Sequence, residues 1–143
     1  MTIEKIQVHL SPDMEEKITQ AERKNRFFAF HLDAMSGDFG FFETFPEDIF
    51  DFTRLTHSDW VYTNIFQIGG TEFTFMQGDN CHAPDWKLTA IDKHKNPRIC
   101  GSFIVLGRAA KEDGLSKEDM ELILDKMVNL DFGDTKKNVL IID

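Results

Sequence analysis

Residues 60–76 read WVYTNIFQIGGTEFTFM, and this stretch decides the class of the fold. Trp60 to Ile68 is rich in β-branched and aromatic residues, a composition that favours a strand. Gly69-Gly70 follows, and a Gly-Gly pair between two such runs is typical of a two-residue hairpin turn. Thr71 to Met76 is then the returning strand. The sequence therefore predicts an antiparallel sheet in the middle of the chain.

Further strands are predicted on both sides of this hairpin. Residues 87–92 and 98–106 form another candidate pair, joined through the turn-forming residues 93–97. Residues 3–10 alternate apolar and polar side chains, which indicates a first strand with one face in water. Residues 137–142 end in four consecutive apolar side chains, a pattern compatible with a strand buried on both faces.

Three helices are predicted from their start signals. Ser11-Pro12-Asp13 offers an N-cap oxygen and a proline at the first helical position, and the helix is expected to run to about Asn25. Pro46-Glu47-Asp48 predicts a short helix ending near Leu55. Ser116 to Asp119 fits a capping box. The apolar residues expected on that last helix are Met120, Ile123, Leu124, Met127 and Leu130.

The remaining segments complete an α+β assignment. Residues 27–33 have an extended pattern, whereas residues 34–45 fit either a short strand or an irregular loop. The length of 143 residues suits one domain, and 41% apolar residues are enough for a core. We therefore expect a single α+β domain over residues 1–143, with a mainly antiparallel sheet of about five to seven strands and two to three helices.

The charge balance restricts the kinds of partner. Against 16 Lys and Arg residues there are 25 Asp and Glu, which gives a net charge of −9. Such a chain repels phosphate, so we expect no direct binding to nucleic acid or to an anionic membrane. Two cysteines are too few for a disulfide framework, and the N-terminus lacks the apolar region of a signal peptide. The expected compartment is the cytoplasm.

The acidity is concentrated in residues 33–59, where seven acids face one base, Arg54. Solvation of an exposed surface is the ordinary interpretation. The alternative is a negative surface that attracts a basic protein. Nine of the 14 phenylalanines fall between residues 27 and 52, where they serve either as core or as interface anchors. The residues assigned to partner contact by this hypothesis are Asp38, Phe39, Phe41, Phe42, Glu43, Phe45, Glu47, Asp48 and Asp51.

Motifs for catalysis are missing from the sequence. It contains no phosphate-binding loop, dinucleotide fingerprint, zinc-protease helix or nucleophile elbow. The densest group of reactive side chains lies in residues 79–86, and an alternative ligand site there would use Asp79, Cys81, His82 and Trp86. Because Cys81 and His82 are adjacent in sequence and fit no zinc spacing, a structural loop is the competing interpretation. We expect neither a metal nor a cofactor.

One part of the chain resembles a known group of proteins. The stretches that carry the likeness are WKLTAID (86–92), RICGSFIVLG (98–107) and LSKED (115–119). Residues 86 to about 127 resemble a family of small uncharacterised proteins carried by phages, plasmids and integrated elements. The resemblance implies a mobile-element context, and this family brings no general activity with it.

The leading hypothesis combines these observations. It describes a small acidic, non-enzymatic binding protein, encoded by a phage or mobile element, that inhibits or modulates a host or defence protein. A nucleic-acid-handling enzyme with a basic surface is the expected target, as for an anti-CRISPR or anti-restriction protein. Two alternatives stay open. One is a small-molecule or nucleotide-binding protein, or an enzyme, with its site at Asp79 to Trp86. The other is an oligomeric structural protein whose phenylalanines cover a symmetric interface.

Overall fold

A computed structural model describes residues 2–45, 47–78, 88–110 and 114–143 of the chain. These residues contain three helices and ten strands. In chain order the elements are β1 (Thr2–Lys5), α1 (Met14–Arg23), β2 (Phe27–Leu32), β3 (Phe39–Thr44), α2 (Ile49–Thr56), β4 (Val61–Ile68), β5 (Thr71–Gly78), β6 (Leu88–Ile91), β7 (Pro97–Cys100), β8 (Phe103–Arg108), α3 (Lys117–Asp125), β9 (Met127–Asp131) and β10 (Lys136–Ile141). Within these ranges no helix is long and apolar enough to cross a membrane.

The strands form two five-stranded sheets in the described part of the chain. Sheet I has the order β1-β9-β10-β6-β7, and sheet II has the order β3-β2-β8-β5-β4. Strand β10 runs parallel to β6, and the other pairings are antiparallel. The predicted single-domain α+β class with mainly antiparallel pairing is confirmed. The ten described strands are divided equally between two sheets. Both ends of the chain contribute to sheet I, with β1 at one end and β9 and β10 at the other.

The central hairpin has the predicted geometry. Strands β4 and β5 pair in an uninterrupted register from Val61 opposite Gly78 to Ile68 opposite Thr71. Gly69 and Gly70 form the turn with φ values of 56° and 83°. Positive φ at both central residues is what a type I′ turn requires, and glycine adopts it without a steric penalty.

The last helix begins as predicted but ends earlier. The Ser116 hydroxyl accepts a hydrogen bond from Asp119 N, and the Asp119 carboxylate accepts one from Ser116 N, so the capping box is complete. The helix stops at Asp125. Met127 and Leu130, expected on this helix, belong instead to β9, which pairs with β1 on one side and β10 on the other. Tertiary pairing here overrides a local helical spacing.

Three other boundaries differ from the sequence expectations. The first strand ends at Lys5 rather than near residue 10. The first helix has Asp13 at its N-cap position rather than Ser11, and no side-chain hydrogen bond caps it. The strand predicted over residues 98–106 is divided at Gly101, whose φ is 90°, so that β7 joins sheet I and β8 joins sheet II. Residues 34–45, for which strand and loop were both open, contain β3.

The main core brings together side chains from both sheets, α1 and α3. Sheet II contributes most of the aromatic rings, with Phe75 stacked on Phe103 at 5.3 Å between ring centroids and Phe30 6.3 Å from Phe103. The side chains from the strands of sheet I are Ala90, Ile99, Met127 and Leu140. Successive side chains of a strand point to opposite faces, so Val139 packs in a separate cluster on the other face of sheet I. The prediction that the last strand is buried on both faces is thus confirmed.

Helix α2 covers the second face of sheet II. Phe52 is 1% exposed and packs against Ala29 of β2 and Ile104 of β8. Burying a phenylalanine side chain stabilises a fold by about 1.5–3 kcal/mol. Sheet II is therefore covered on both faces, by the main core and by α2, and its two outer strands are β3 and β4.

Gly114 provides a test of how closely the chain packs before α3. Its φ is 83°, and an added Cβ would lie 2.7 Å from Cδ2 of Phe27. Gly133 also has a positive φ, 97°, but an added Cβ would meet nothing within 4 Å. The Gly114→Ala variant should lose about 2–4 kcal/mol of unfolding free energy, from backbone strain and overpacking together.

The matched Gly133→Ala variant should lose only about 1 kcal/mol, since backbone strain acts alone there. Urea unfolding followed by circular dichroism measures both variants. Equal losses would contradict the close approach of residue 114 to Phe27.

Candidate functional site

The residues assigned to partner contact lie on and beside one edge of sheet II. Strand β3 pairs with β2 from Phe39 opposite Leu32 to Thr44 opposite Phe27. No described strand pairs with its other side. Six residues of strand span about 17–20 Å, so Asp38 lies at one end of this edge and Phe45 and Glu47 lie at the other. The assigned residues therefore share one edge and the start of α2.

The phenylalanines of this region pack largely against the protein itself. Phe39 and Phe41 face the main core, where their ring centroids are 6.2 Å and 5.4 Å from that of Phe30. Phe42 points to the opposite face and joins the cluster beneath α2. Phe45 has the guanidinium of Arg26 over its ring at 5.4 Å. All four rings are half-buried, so they hold β3 in place while part of each remains at the surface.

Three of the assigned acids already have partners. The Asp48 carboxylate accepts a hydrogen bond of 3.2 Å from Asp51 N and so caps α2. Asp51 forms an ion pair of 3.2 Å with Arg54, and Glu43 forms one of 3.5 Å with Arg26. Ion pairs at this level of exposure contribute about 0–1 kcal/mol each, so these contacts position the side chains more than they stabilise the fold.

The other two acids, Asp38 and Glu47, carry the exposed charge of the edge. Both are exposed, and neither side chain forms an ion pair within the described ranges. They stand at opposite ends of β3. We call Asp38, Glu43, Glu47, Asp48 and Asp51 together the acidic edge.

A network at Asp33, which the sequence analysis missed, fixes the end of β2 next to the acidic edge. The Asp33 carboxylate accepts hydrogen bonds from Ser36 Oγ at 2.7 Å, Met35 N at 3.2 Å and Ser102 Oγ at 3.1 Å. His57 Nε2 lies 2.9 Å from Asp33 Oδ1. This network joins the turn before β3 to the end of α2 and the start of β8. Only Met35 and Ser36 are close to Asp33 in sequence, so only the local turn could have been predicted.

Hydrogen bonding keeps Asp33 ionised. Partial burial by itself would raise the pKa of this carboxyl group. The hydrogen bonds from Ser36, Met35 N, His57 and Ser102 outweigh burial and hold the pKa of Asp33 well below its usual range.

The Asp33 network contains a serine, a histidine and an aspartate, as a hydrolytic triad does, but hydrogen bonds connect them in a different order. A triad requires the serine to bond to the histidine, which removes its proton. Here the Ser102 hydroxyl donates to Asp33 and accepts from Ala34 N at 2.8 Å, while His57 bonds to the same carboxylate. The imidazole therefore does not activate the hydroxyl, and the network acts as a structural tie.

His31 makes a second contact between the end of β2 and the end of α2. Its Nε2 is 2.9 Å from the carbonyl oxygen of Leu55, and because a carbonyl can only accept, this nitrogen carries the proton. The ring also meets Phe42 edge to face, with centroids 6.3 Å apart. Burial lowers the pKa of His31 and favours its neutral form.

A second acidic feature lies between α1 and α3. It is an open groove of about 690 Å³ with Glu15, Glu22 and Glu118 on its walls. At its floor Asp119, 3% exposed, forms an ion pair of 2.7 Å with Arg108. The sequence analysis did not assign this groove, because the carboxylates come from two helices that are remote in sequence.

The alternative ligand site cannot be placed. Asp79, Cys81, His82 and Trp86 lie outside the described residues. Within the ranges that are described, no group of three or more His, Cys, Asp and Glu side chains is arranged to hold a metal ion.

The low pKa of Asp33 predicts a pH-dependent contribution to stability. Since the folded pKa lies below the unfolded one, the ionised carboxylate stabilises the fold above pH 3.8, and that stabilisation is lost as the pH falls further. Asp33→Asn should therefore lower the free energy of unfolding by about 1–3 kcal/mol at pH 7. The difference from the parent chain should shrink as the pH falls below 3.8.

Urea unfolding at pH 7 and at acidic pH measures this difference. Asp38→Asn, in the same turn but exposed, is the matched control and should change little at either pH. A loss for Asp33→Asn that does not depend on pH would contradict the role of its charge.

Comparison of the chain with protein-family models, with curated proteins and with solved structures returned no match. The resemblance of residues 86 to about 127 to proteins of phages and plasmids therefore stays a prediction. Among the described residues, the acidic edge and the groove between α1 and α3 are two acidic surface features. The acidic edge belongs to residues 33–59, where seven acids face Arg54 alone in the sequence.

Proposed function

We propose that this chain is a non-enzymatic binding protein that modulates a basic protein through its acidic edge. The observation that carries the proposal is the charge of residues 33–59, with seven acids against Arg54 alone. Asp38 and Glu47 present two of these charges in water at the two ends of β3. A surface of one sign raises the association rate with an oppositely charged partner and selects against partners of like charge.

The expected partner is a nucleic-acid-handling protein of a host or of its defence system. Such proteins carry basic surfaces that neutralise phosphates, and a cluster of carboxylates can occupy the same surface. The proposal includes an origin in a phage or other mobile element, which rests on the resemblance of residues 86 to about 127. Inhibition of a restriction or CRISPR enzyme would be one form of this function.

The rigidity of the edge supports a binding role. The hydrogen bonds of Asp33 and His31 hold the C-terminal end of α2 against the end of β2, the strand that pairs with β3. The half-buried rings of Phe39 and Phe41 attach β3 to the core. Glu43 lies on β3, and Asp38 and Glu47 lie close to its ends, so their backbone loses little conformational entropy on binding and more of the electrostatic attraction appears as affinity.

The test is affinity capture from host lysate with the tagged protein at low and moderate salt. The parent chain should recover a basic protein that handles nucleic acid, and the complex should weaken as salt screens the charges. The double variant Asp38→Lys/Glu47→Lys should lose that protein. Both sites are exposed and outside the helices and strands, so the midpoint of thermal unfolding should stay nearly unchanged.

Glu15→Lys/Glu22→Lys is the matched control, because it makes the same change of charge in the groove between α1 and α3. It should retain the partner. Loss of the partner in the control but not in the Asp38/Glu47 variant would assign binding to the groove instead. Recovery of no basic protein by the parent chain would contradict the proposal as a whole.

A further inference from the structure

Within the described residues, the second outer strand of sheet II, β4, lacks the short length, charge, proline and bulge that protect many sheet edges. Natural edges are kept short, carry charges or proline, or are bent by a bulge, because an unpaired row of backbone groups can add another strand. Strand β4 is eight residues long, and its pairing with β5 has no bulge. Residues 60–71 form the longest run of the chain without Asp, Glu, Lys or Arg, and they contain no proline.

The other three outer strands have such protection. Strands β1 and β7 in sheet I have four residues each. Strand β1 includes Glu4 and Lys5, and β7 starts with Pro97 followed by Arg98. Strand β3 carries Glu43 and follows Asp38. The contrast makes β4 the unprotected edge among the described strands.

Apolar side chains are exposed on the same strand and at the residue before it. Trp60 is 75% exposed and Ile65 58% exposed, and Tyr62 between them is 39% exposed. Exposed apolar side chains beside an unpaired strand are expected where another strand is added.

The backbone groups that face outward follow from the turn. Ile68 and Thr71 flank a two-residue turn and therefore form a hydrogen-bonded pair, so Ile68 directs its N–H and C=O toward β5. Alternation then directs the N–H and C=O groups of Val61, Thr63, Ile65 and Gln67 away from β5. The carbonyl of Gln67 accepts a hydrogen bond of 2.8 Å from Asp143 N, which agrees with this assignment. Within the described ranges, the edge left open is thus formed by Val61, Thr63 and Ile65.

We propose that β4 pairs antiparallel with β4 of a second copy of this chain, around a two-fold axis at Thr63, to form a continuous ten-stranded sheet. In this register Thr63 lies opposite Thr63 of the second copy, and Val61 lies opposite its Ile65. Six backbone hydrogen bonds form, because three N–H groups from each copy find a carbonyl in the other. The carbonyl of Gln67, which already accepts a hydrogen bond from Asp143 N, takes no part in this pairing.

The side chains in this register complement one another. On the face of the sheet toward α2, Ile65 meets Val61 of the second copy, a cross-strand pair of β-branched side chains. On the opposite face, Trp60 approaches Phe66 of the second copy, an aromatic pair. The most exposed apolar side chains of the strand thereby acquire apolar neighbours.

Of the two outer strands of sheet II, β4 is the one at which two copies repel each other less. Each chain carries −9, so two copies repel each other through most of their surface. Residues 60–71 contribute no charge to that repulsion. The pairing is isologous, so it closes as a dimer and does not extend into a filament. In the dimer the two acidic edges lie at the outer ends of the joined sheet and stay accessible.

Sedimentation velocity over a range of protein concentrations tests the dimer. The parent chain should change from monomer to dimer as its concentration rises, and added salt should strengthen the dimer by screening like charges. This response to salt is opposite in sign to that expected of the complex at the acidic edge, so the two proposals can fail separately. A chain that stays monomeric at every concentration would overturn the dimer.

The decisive variant is Ile65→Lys, which places on β4 the charge that protects natural edges. It should raise the dimer dissociation constant by at least about tenfold. Met35→Lys is the matched control: Met35 is 61% exposed in the turn between β2 and β3, and its substitution changes the net charge equally. It should leave the dissociation constant within about twofold. Equal effects of the two variants would overturn the assignment to β4.

Cysteine crosslinking tests the register. A short bismaleimide should join two copies of Thr63→Cys, because residues opposite each other in an antiparallel pair lie about 5 Å apart. Two copies of Gln67→Cys would lie about 26 Å apart in the same register and should not be joined. The parent chain, which has Cys81 and Cys100, gives the background. Equal crosslinking at residues 63 and 67 would overturn the proposed pairing.

Discussion

The contact among Phe30, Phe75 and Phe103 is the interaction on which the rest of the structure depends. These rings come from β2, β5 and β8, the three inner strands of sheet II, and none of them is exposed to solvent. Because strand side chains alternate, fixing three rings on one face also fixes Ala29 and Ile104 on the other, where α2 packs. With the inner strands in place, β3 and β4 are the two edges that remain.

The two edges of sheet II have opposite electrostatic character. Strand β3 is flanked by carboxylates, and the acidic residues nearest to it along the chain greatly outnumber Arg54. Strand β4 has no ionisable charge along its length apart from Tyr62. A charged edge and a neutral edge of one sheet recognise different chemistry. Association through one does not require the other, so the proposed partner binding and the proposed self-association can be regulated by different conditions.

Local patterns allowed much of the fold to be predicted from sequence. The turn at Gly69-Gly70 and the capping box of Ser116 and Asp119 depend on residues at most three apart, and both are present. The assignment of Met127 and Leu130 to a helix was wrong. Strand β9 is defined by its pairing with β10, which follows it closely, and with β1, which lies more than 100 residues before it. Local spacing does not contain that information.

The candidate site was predictable in composition but not in geometry. The acids of residues 33–59 could be identified from sequence, and Asp38 and Glu47 are exposed. The partners of Asp48 and Asp51 lie three residues away, whereas Glu43 pairs with Arg26 of a preceding segment, which the local pattern does not indicate. The ties of Asp33 to Ser102 and of His31 to Leu55 also join remote segments.

The pairing of β1 with β9 has a consequence for how the protein forms during synthesis. All strands of sheet II lie between residues 27 and 108, so this sheet can assemble while later residues are still on the ribosome. Strand β1 is synthesised before β9, which begins at Met127. The pairing of these two strands can therefore form only after β9 has been made. Until β9 has been synthesised, β1 is therefore an unpaired segment, and sheet I closes after the strands of sheet II have been made.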